Sequence, residues 1–120
     1  MTGGWSDVKD LNSESIQNVA KNATRALAIA ENSEYHLKML NLTKARKQVV
    51  SGMNYKLELQ ISPTECKVNE NLSDEELDNC PLQKCDKPNT CTATAWVRVW
   101  LNETERFKLT DYSCGSKSFC

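Results

Sequence analysis

Val50-Ser51-Gly52-Met53-Asn54-Tyr55-Lys56-Leu57-Glu58-Leu59-Gln60-Ile61 is the stretch on which the architecture turns. From Tyr55 onward, apolar Tyr55, Leu57, Leu59 and Ile61 alternate with polar Lys56, Glu58 and Gln60. A period of two sends the two sets to opposite faces of a strand, one buried and one wet. Ser51-Gly52 separates this run from another strand-like run, Tyr35 to Val50, which is a hairpin signal. The apolar parity of the earlier run slips between Met39 and Leu40, so a bulge or kink is expected there. Residues 92–100 alternate as well, with Ala93, Ala95, Val97 and Val99 on one face. Trp96 and Trp100 share the other parity and read as an aromatic stripe. After the polar turn 101–105, Phe107 and Leu109 continue the alternation through 106–110.

Upstream of these strands the period is helical. Ile16, Val19, Ala20, Ala23, Ala26, Leu27 and Ala30 form one stripe, and Gln17, Asn18, Lys21, Asn22 and Arg25 fall mostly opposite it. This predicts an amphipathic helix of about four to five turns. Its small alanine face suits close packing on a broad surface such as a sheet. Ser13 and Ser15 are candidate caps, and Asn32-Ser33 ends the helix. Residues 1–12 have no periodicity and read as a mobile arm. Residues 63–90 read as a long polar connection, in which Ser73-Asp74-Glu75-Glu76 is a capping box for a short helix. Asp74, Glu75, Glu76 and Asp78 read as a solvated face. One helix followed by hairpin-linked strands makes a single α+β domain over residues 1–120, with an antiparallel sheet packed on the helix.

The 120 residues suit one core, with 39% apolar and 26% charged residues. A net charge of −1 lacks the basic excess that nucleic-acid partners require. No apolar run approaches a membrane span, so no membrane partner is expected. Met1 is followed at once by Thr2-Gly3-Gly4-Trp5 and reads as a start added to a mature chain whose signal has been removed.

Six cysteines, Cys66, Cys80, Cys85, Cys91, Cys114 and Cys120, all lie in the second half. They include no C-x-x-C pair, and the one histidine, His36, is far from them in sequence. Disulfides in an oxidising compartment are therefore expected rather than a metal site, and no cofactor is implied. Composition does not choose among the 15 pairings that six cysteines admit. Four sequons, at Asn22, Asn41, Asn71 and Asn102, agree with a secreted, extracellular glycoprotein.

Gln48-Val49-Val50-Ser51-Gly52 resembles the Q-x-V-x-G motif of the cystatins. Further features match in order and spacing. Gly3-Gly4 resembles the glycine pair of the cystatin arm, and Ala45-Arg46-Lys47 precedes the motif as in several secreted members. Leu77-Asp78-Asn79-Cys80-Pro81 resembles the segment at the second cysteine of type 2 cystatins. Trp100 lies nine residues after Cys91, where the family places the tryptophan of its second hairpin. The resemblance runs from Gly3 to Cys114; secreted cystatins of vertebrates and of blood-feeding arthropods such as ticks both look similar, with the arthropod group, and so saliva, favoured.

The resemblance implies the cystatin fold: one long N-terminal helix on a curved antiparallel β-sheet of about five strands. It implies disulfides Cys66–Cys80 and Cys91–Cys114. That leaves Cys85 for Cys120, a third bridge beyond the usual four cysteines, and a disulfide-tethered connection over residues 63–90. It implies reversible, tight-binding inhibition of papain-like cysteine proteases, with Gly3, Gly4, Gln48, Val49, Val50, Ser51, Gly52, Val99 and Trp100 filling the cleft. The implied partners are cathepsins L, S and C, with weaker binding to cathepsin B, whose cleft a loop obstructs. A monomer is implied, with swapping of the helix and first hairpin strand available to the fold. Asn32, sixteen residues before Gln48, falls where some secreted relatives bind legumain, although it also reads as a helix C-terminal residue.

The chain departs from the family at the second hairpin as well. The second hairpin reads Val99-Trp100 in place of Pro-Trp, the following loop is about three residues longer, and Asn102 sets a sequon beside the tip. These departures keep a second reading open, a secreted immunomodulatory binding protein with weak or lost inhibition. An enzyme is not expected, because an even cysteine set and one histidine supply no placed nucleophile and base. Taken singly, Gly52 is a turn glycine and Trp100 a sheet aromatic. The functional reading rests on the constellation.

Overall fold

The structure, a computed structural model, describes residues 3–115 and 119–120. The elements are β1 (Ser6–Asp7), α1 (Glu14–Ala30), β2 (Tyr35–Val50), β3 (Gly52–Lys67), α2 (Asp74–Asp78), β4 (Asn89–Val97), α3 (Glu103–Arg106) and β5 (Phe107–Cys114). The five strands form one antiparallel sheet in the order β1-β2-β3-β4-β5. Each strand therefore pairs with its neighbour in sequence, with α1 set between β1 and β2 and a long connection between β3 and β4.

The period-two residues face α1 as the alternation requires. Across the sheet, Ala45 pairs with Leu57, Leu57 with Ala93 and Ala93 with Tyr112. Ile16, Ala20, Ala23, Leu27 and Ala28 of α1 meet this face and are almost wholly buried. Small alanines let the helix axis approach the sheet, while a fully buried leucine such as Leu27 or Leu57 contributes roughly 1.5–3 kcal/mol. The buried stripe differs from the expected one at its end. Thr24 and Ala28 are buried, whereas Ala30 is exposed. Thr24 is satisfied locally, its hydroxyl donating to the Ala20 carbonyl at 2.9 Å. Ala30 stands in the last turn of α1, beside a surface groove that it lines with Ile29, Leu109 and Tyr112.

The expected bulge is present. Pairing of β2 with β3 shifts between Met39 and Asn41, leaving Leu40 without a register partner, and shifts again between Leu42 and Lys44. Each extra residue bends and twists two strands of 16 residues around the helix. β3 runs on to Lys67, so the long connection begins at Val68 rather than at residue 63. Within it, Ser73 and Glu76 form the reciprocal capping box of α2. Arg25 of α1 holds the segment by donating to the Leu72 carbonyl and to Asp74, so the acidic face is not wholly left to solvent. Buried His36 lies 3.0 Å through Nε2 from the Glu70 carbonyl, at the start of the same connection.

Two disulfides close the second half, Cys66–Cys80 across the connection and Cys91–Cys114 between β4 and β5. Cys85 and Cys120 stand as neighbouring thiols, not as the third bridge that the even cysteine count suggested. Contact with the Cys85 thiol, together with partial burial, pushes Cys120 up to about 11. Cys85 Sγ donates to the Phe119 carbonyl at 3.5 Å and Cys120 Sγ to the Lys84 carbonyl at 3.3 Å, while Phe119 packs on the core.

The arm is more ordered than its lack of periodicity implies. Ser6 and Asp7 pair with Lys47 and Arg46 on the open edge of β2, and Val8 N–H donates to the Ala45 carbonyl. Backbone pairing needs no side-chain period, which is why the sequence carried no signal for it.

Candidate functional site

Three separate segments meet at one end of the sheet. The first is the β2–β3 hairpin, whose tip closes through Ser51 with Val50 paired to Gly52. Gly52 has φ +90°, a backbone state that side chains with Cβ rarely adopt. A methyl group there would also lie 2.5 Å from the Val97 carbonyl oxygen and 3.3 Å from the Trp100 ring. The glycine thus serves two ends, the turn itself and the close approach of the next hairpin.

The second segment is the β4–β5 connection. β4 stops at Val97, and Leu101 N–H bonds back to the Arg98 carbonyl at 3.1 Å, a turn with Val99 and Trp100 at its corners. This turn breaks the strand period. Trp96 stays on the outer face of the sheet, where its indole N–H donates to the Ser51 carbonyl at 2.7 Å and Arg98 stacks over its ring at 4.1 Å. Trp100 folds towards Gly52 instead, so the two tryptophans do not form a stripe. Asn102 caps the short helix α3 by accepting from Glu105 N–H and the Thr104 hydroxyl through Oδ1.

The third segment is the arm. Gly3 N–H donates to the Val49 carbonyl at 2.9 Å, and the Gln48 side-chain amide donates to the Gly3 carbonyl at 3.0 Å. Gly4 is exposed, and a Cβ there would meet nothing within 4 Å. Met1 and Thr2 lie outside the described residues.

Six large apolar residues are exposed among those described, and three of them, Val49 (56%), Val99 (71%) and Trp100 (60%), stand on this edge. Apolar area clustered in this way is a surface prepared for a partner. The edge offers no catalytic chemistry. Ser51 has no histidine near it, since His36 is buried at the far end of β2. The described residues include no group of His, Cys, Asp and Glu able to hold a metal ion. Trp96 and Asn54 are structural members of the edge that sequence reasoning missed, because both act through hydrogen bonds across strands. Asn32 lies elsewhere. It follows α1 with φ +52°, and β2 separates it from the first hairpin along its full length.

A family model described as the cystatin domain matches residues 3–100. The chain is a cystatin. Among curated proteins it is 43% identical over 108 residues to "Cystatin-1" of Chilobrachys guangxiensis, covering 90% of this chain and 79% of that one. It is 36% identical over 115 residues to "L-cystatin" of Tachypleus tridentatus, with 96% and 83% coverage. Among solved structures, a salivary cystatin from the soft tick Ornithodoros moubata superposes with a TM-score of 0.76 at 30% identity, covering 95% of this chain and 98% of that one. Arthropod cystatins are thus among its relatives. Cystatins are inhibitors of papain-like cysteine proteases rather than enzymes.

Proposed function

We propose that this cystatin is a secreted, reversible, tight-binding inhibitor of papain-like proteases that fills the cleft with its arm and two hairpins. The observation that carries this reading is the packing of Trp100 against the Gly52 turn, with Val49 and Val99 exposed beside it. Gln48, Val49, Val50, Ser51 and Gly52 form the middle of the wedge, Gly3 and Gly4 one flank, and Val99 and Trp100 the other. Burial of the three exposed apolar side chains drives docking, and a preformed edge loses little conformational entropy. No cleavable bond needs to enter the enzyme. Cathepsins L, S and C are the proposed targets, with weaker binding to cathepsin B, and the working form is a monomer.

Titration of papain and cathepsin L with the unglycosylated chain tests this. Stoichiometric, reversible loss of activity at nanomolar concentration, about −12 kcal/mol, is the expected result. Activity undiminished at micromolar inhibitor sinks the proposal and favours the immunomodulatory reading. Legumain belongs in the same panel. Exposed Asn32 in a left-handed turn, remote from the wedge, supports a second and independent site. A ternary complex with both enzymes is then expected, and competition between them would refute it.

Asn22, Asn41, Asn71 and Asn102 are all exposed and are proposed glycan sites. At Asn102 the cap uses Oδ1, leaving Nδ2 for the sugar. A glycan there would stand two residues from Trp100, so glycosylated protein should inhibit more weakly than the Asn102→Gln variant.

We also propose that Cys85 and Cys120 close a third bridge on secretion. Their contact already supplies the proximity. A small-molecule disulfide takes up the two electrons and two protons that the thiols give up, and is itself reduced to two thiols. Closure begins with attack of a thiolate on that disulfide, so it should quicken as pH rises. Mass spectrometry of oxidised protein is expected to find no alkylatable thiol and a peptide joining the two cysteines. Two alkylated thiols after prolonged exposure to oxidised glutathione would refute the bridge.

A further inference from the structure

We infer that Asn54 is a positioning residue for the N-terminal arm, acting through the side-chain amide of Gln48. The inference deepens the inhibitor reading and rests on it for the arm's share of binding.

Gln48 and Asn54 are directly opposed on β2 and β3, on the outer face of the sheet. Asn54 Nδ2 donates to Gln48 Oε1 at 3.3 Å, and Gln48 Nε2 donates to the Gly3 carbonyl at 3.0 Å. The three groups form a donor chain that runs one way. A backbone carbonyl only accepts, so Gln48 must present its NH2 to Gly3 and its oxygen to Asn54. Satisfying that oxygen holds the Gln48 rotamer and polarises its amide, which strengthens the bond to Gly3.

At Gly3 itself two hydrogen bonds hold the arm, with half-buried Trp5 further along it. Between Gly3 and the first register pair, Ser6 with Lys47, stand only Gly4, with open space around its Cα, and Trp5. Two hydrogen bonds therefore decide where Gly3 lies: its N–H to Val49, and its carbonyl from Gln48. The first runs between backbones, so side-chain substitutions leave its donor and acceptor in place. The second depends on a side chain whose orientation Asn54 supports.

Asn54→Asp separates positioning from bulk. The carboxylate has nearly the same shape but only accepts. It draws Gln48 NH2 towards itself and leaves the Gly3 carbonyl facing an acceptor, so the arm is released while the sheet stays paired. Asn54 is half-exposed on the sheet surface, and the variant should fold. Two readouts are combined. NMR relaxation of the free protein is expected to show Gly3 and Gly4 gaining fast motion in the variant, with Val49 and Gly52 unchanged. Protease titration is expected to show about three- to tenfold weaker binding, the size of one lost hydrogen bond. In a chain that begins at Trp5, which keeps every core residue named above, the same substitution should have no effect on binding.

Gly3 as rigid in the variant as in the parent would overturn the inference, whatever the inhibition result. Equal weakening in the chain that begins at Trp5 would overturn it too, because Asn54 would then act through the hairpin. Released Gly3 with no protease binding by any form would uphold the positioning role and refute the inhibitor reading alone.

Discussion

Gly52→Ala is expected to weaken protease binding by ~100- to 1000-fold, about 3–4 kcal/mol, a loss in the range of interface hot spots. The new methyl group has no place to go. It would stand 2.5 Å from the Val97 carbonyl oxygen, a backbone atom of a paired strand that cannot swing aside as a side-chain end could. The backbone at φ +90° is itself costly for any residue with Cβ, by about 1–3 kcal/mol. The turn must therefore open, moving Val49 and Val50, and the Trp100 ring 3.3 Å away must shift with it. Part of the cost falls on the free protein. Denaturant unfolding should show destabilisation of roughly 1–3 kcal/mol by the same strain. Inhibition within threefold of the parent would show that the first hairpin does not enter the cleft as a rigid tip.

Trp100→Ala should behave differently, and the contrast is diagnostic. Its side chain is 60% exposed and outside the core, so truncation should change folding stability by less than about 0.5 kcal/mol. Binding should fall by ~30- to 1000-fold, the 2–4 kcal/mol typical of a buried aromatic anchor. Loss of binding without loss of stability marks a residue kept for its partner. Unchanged inhibition would mean that the second hairpin, with valine where proline is usual, no longer docks. If both variants leave inhibition intact, the protease-binding surface lies elsewhere on the fold.

The fold was legible because its signals are local. The helical stripe from Ile16 to Leu27 and the alternation from Tyr55 to Ile61 each report which face an element buries. A parity slip at Met39-Leu40 revealed a bulge for the same reason, since an extra residue exchanges the faces on either side of it. The turn at Ser51-Gly52 carried its own chemistry. The bulge at Thr110, opposite Thr94-Ala95, left the same kind of trace as that slip, since Phe107 and Leu109 keep one parity and Tyr112 and Cys114 the other.

Periodicity could not say what meets at the end of the sheet. The register and the bend of β2 and β3 bring Gly3, Gly52 and Trp100 together across spans of about fifty residues, and no local pattern encodes a contact between them. Trp100 left the face of Trp96 because β4 ended at Val97 and a turn intervened, closed by the hydrogen bond from Leu101 N–H to the Arg98 carbonyl. The arm settled on the edge of β2 through backbone groups that every sequence possesses. Asn54 became a support for Gln48 only once pairing placed them opposite one another. The order and type of the elements follow from hydrophobic burial read residue by residue. The wedge follows from long-range pairing, which only the folded chain fixes.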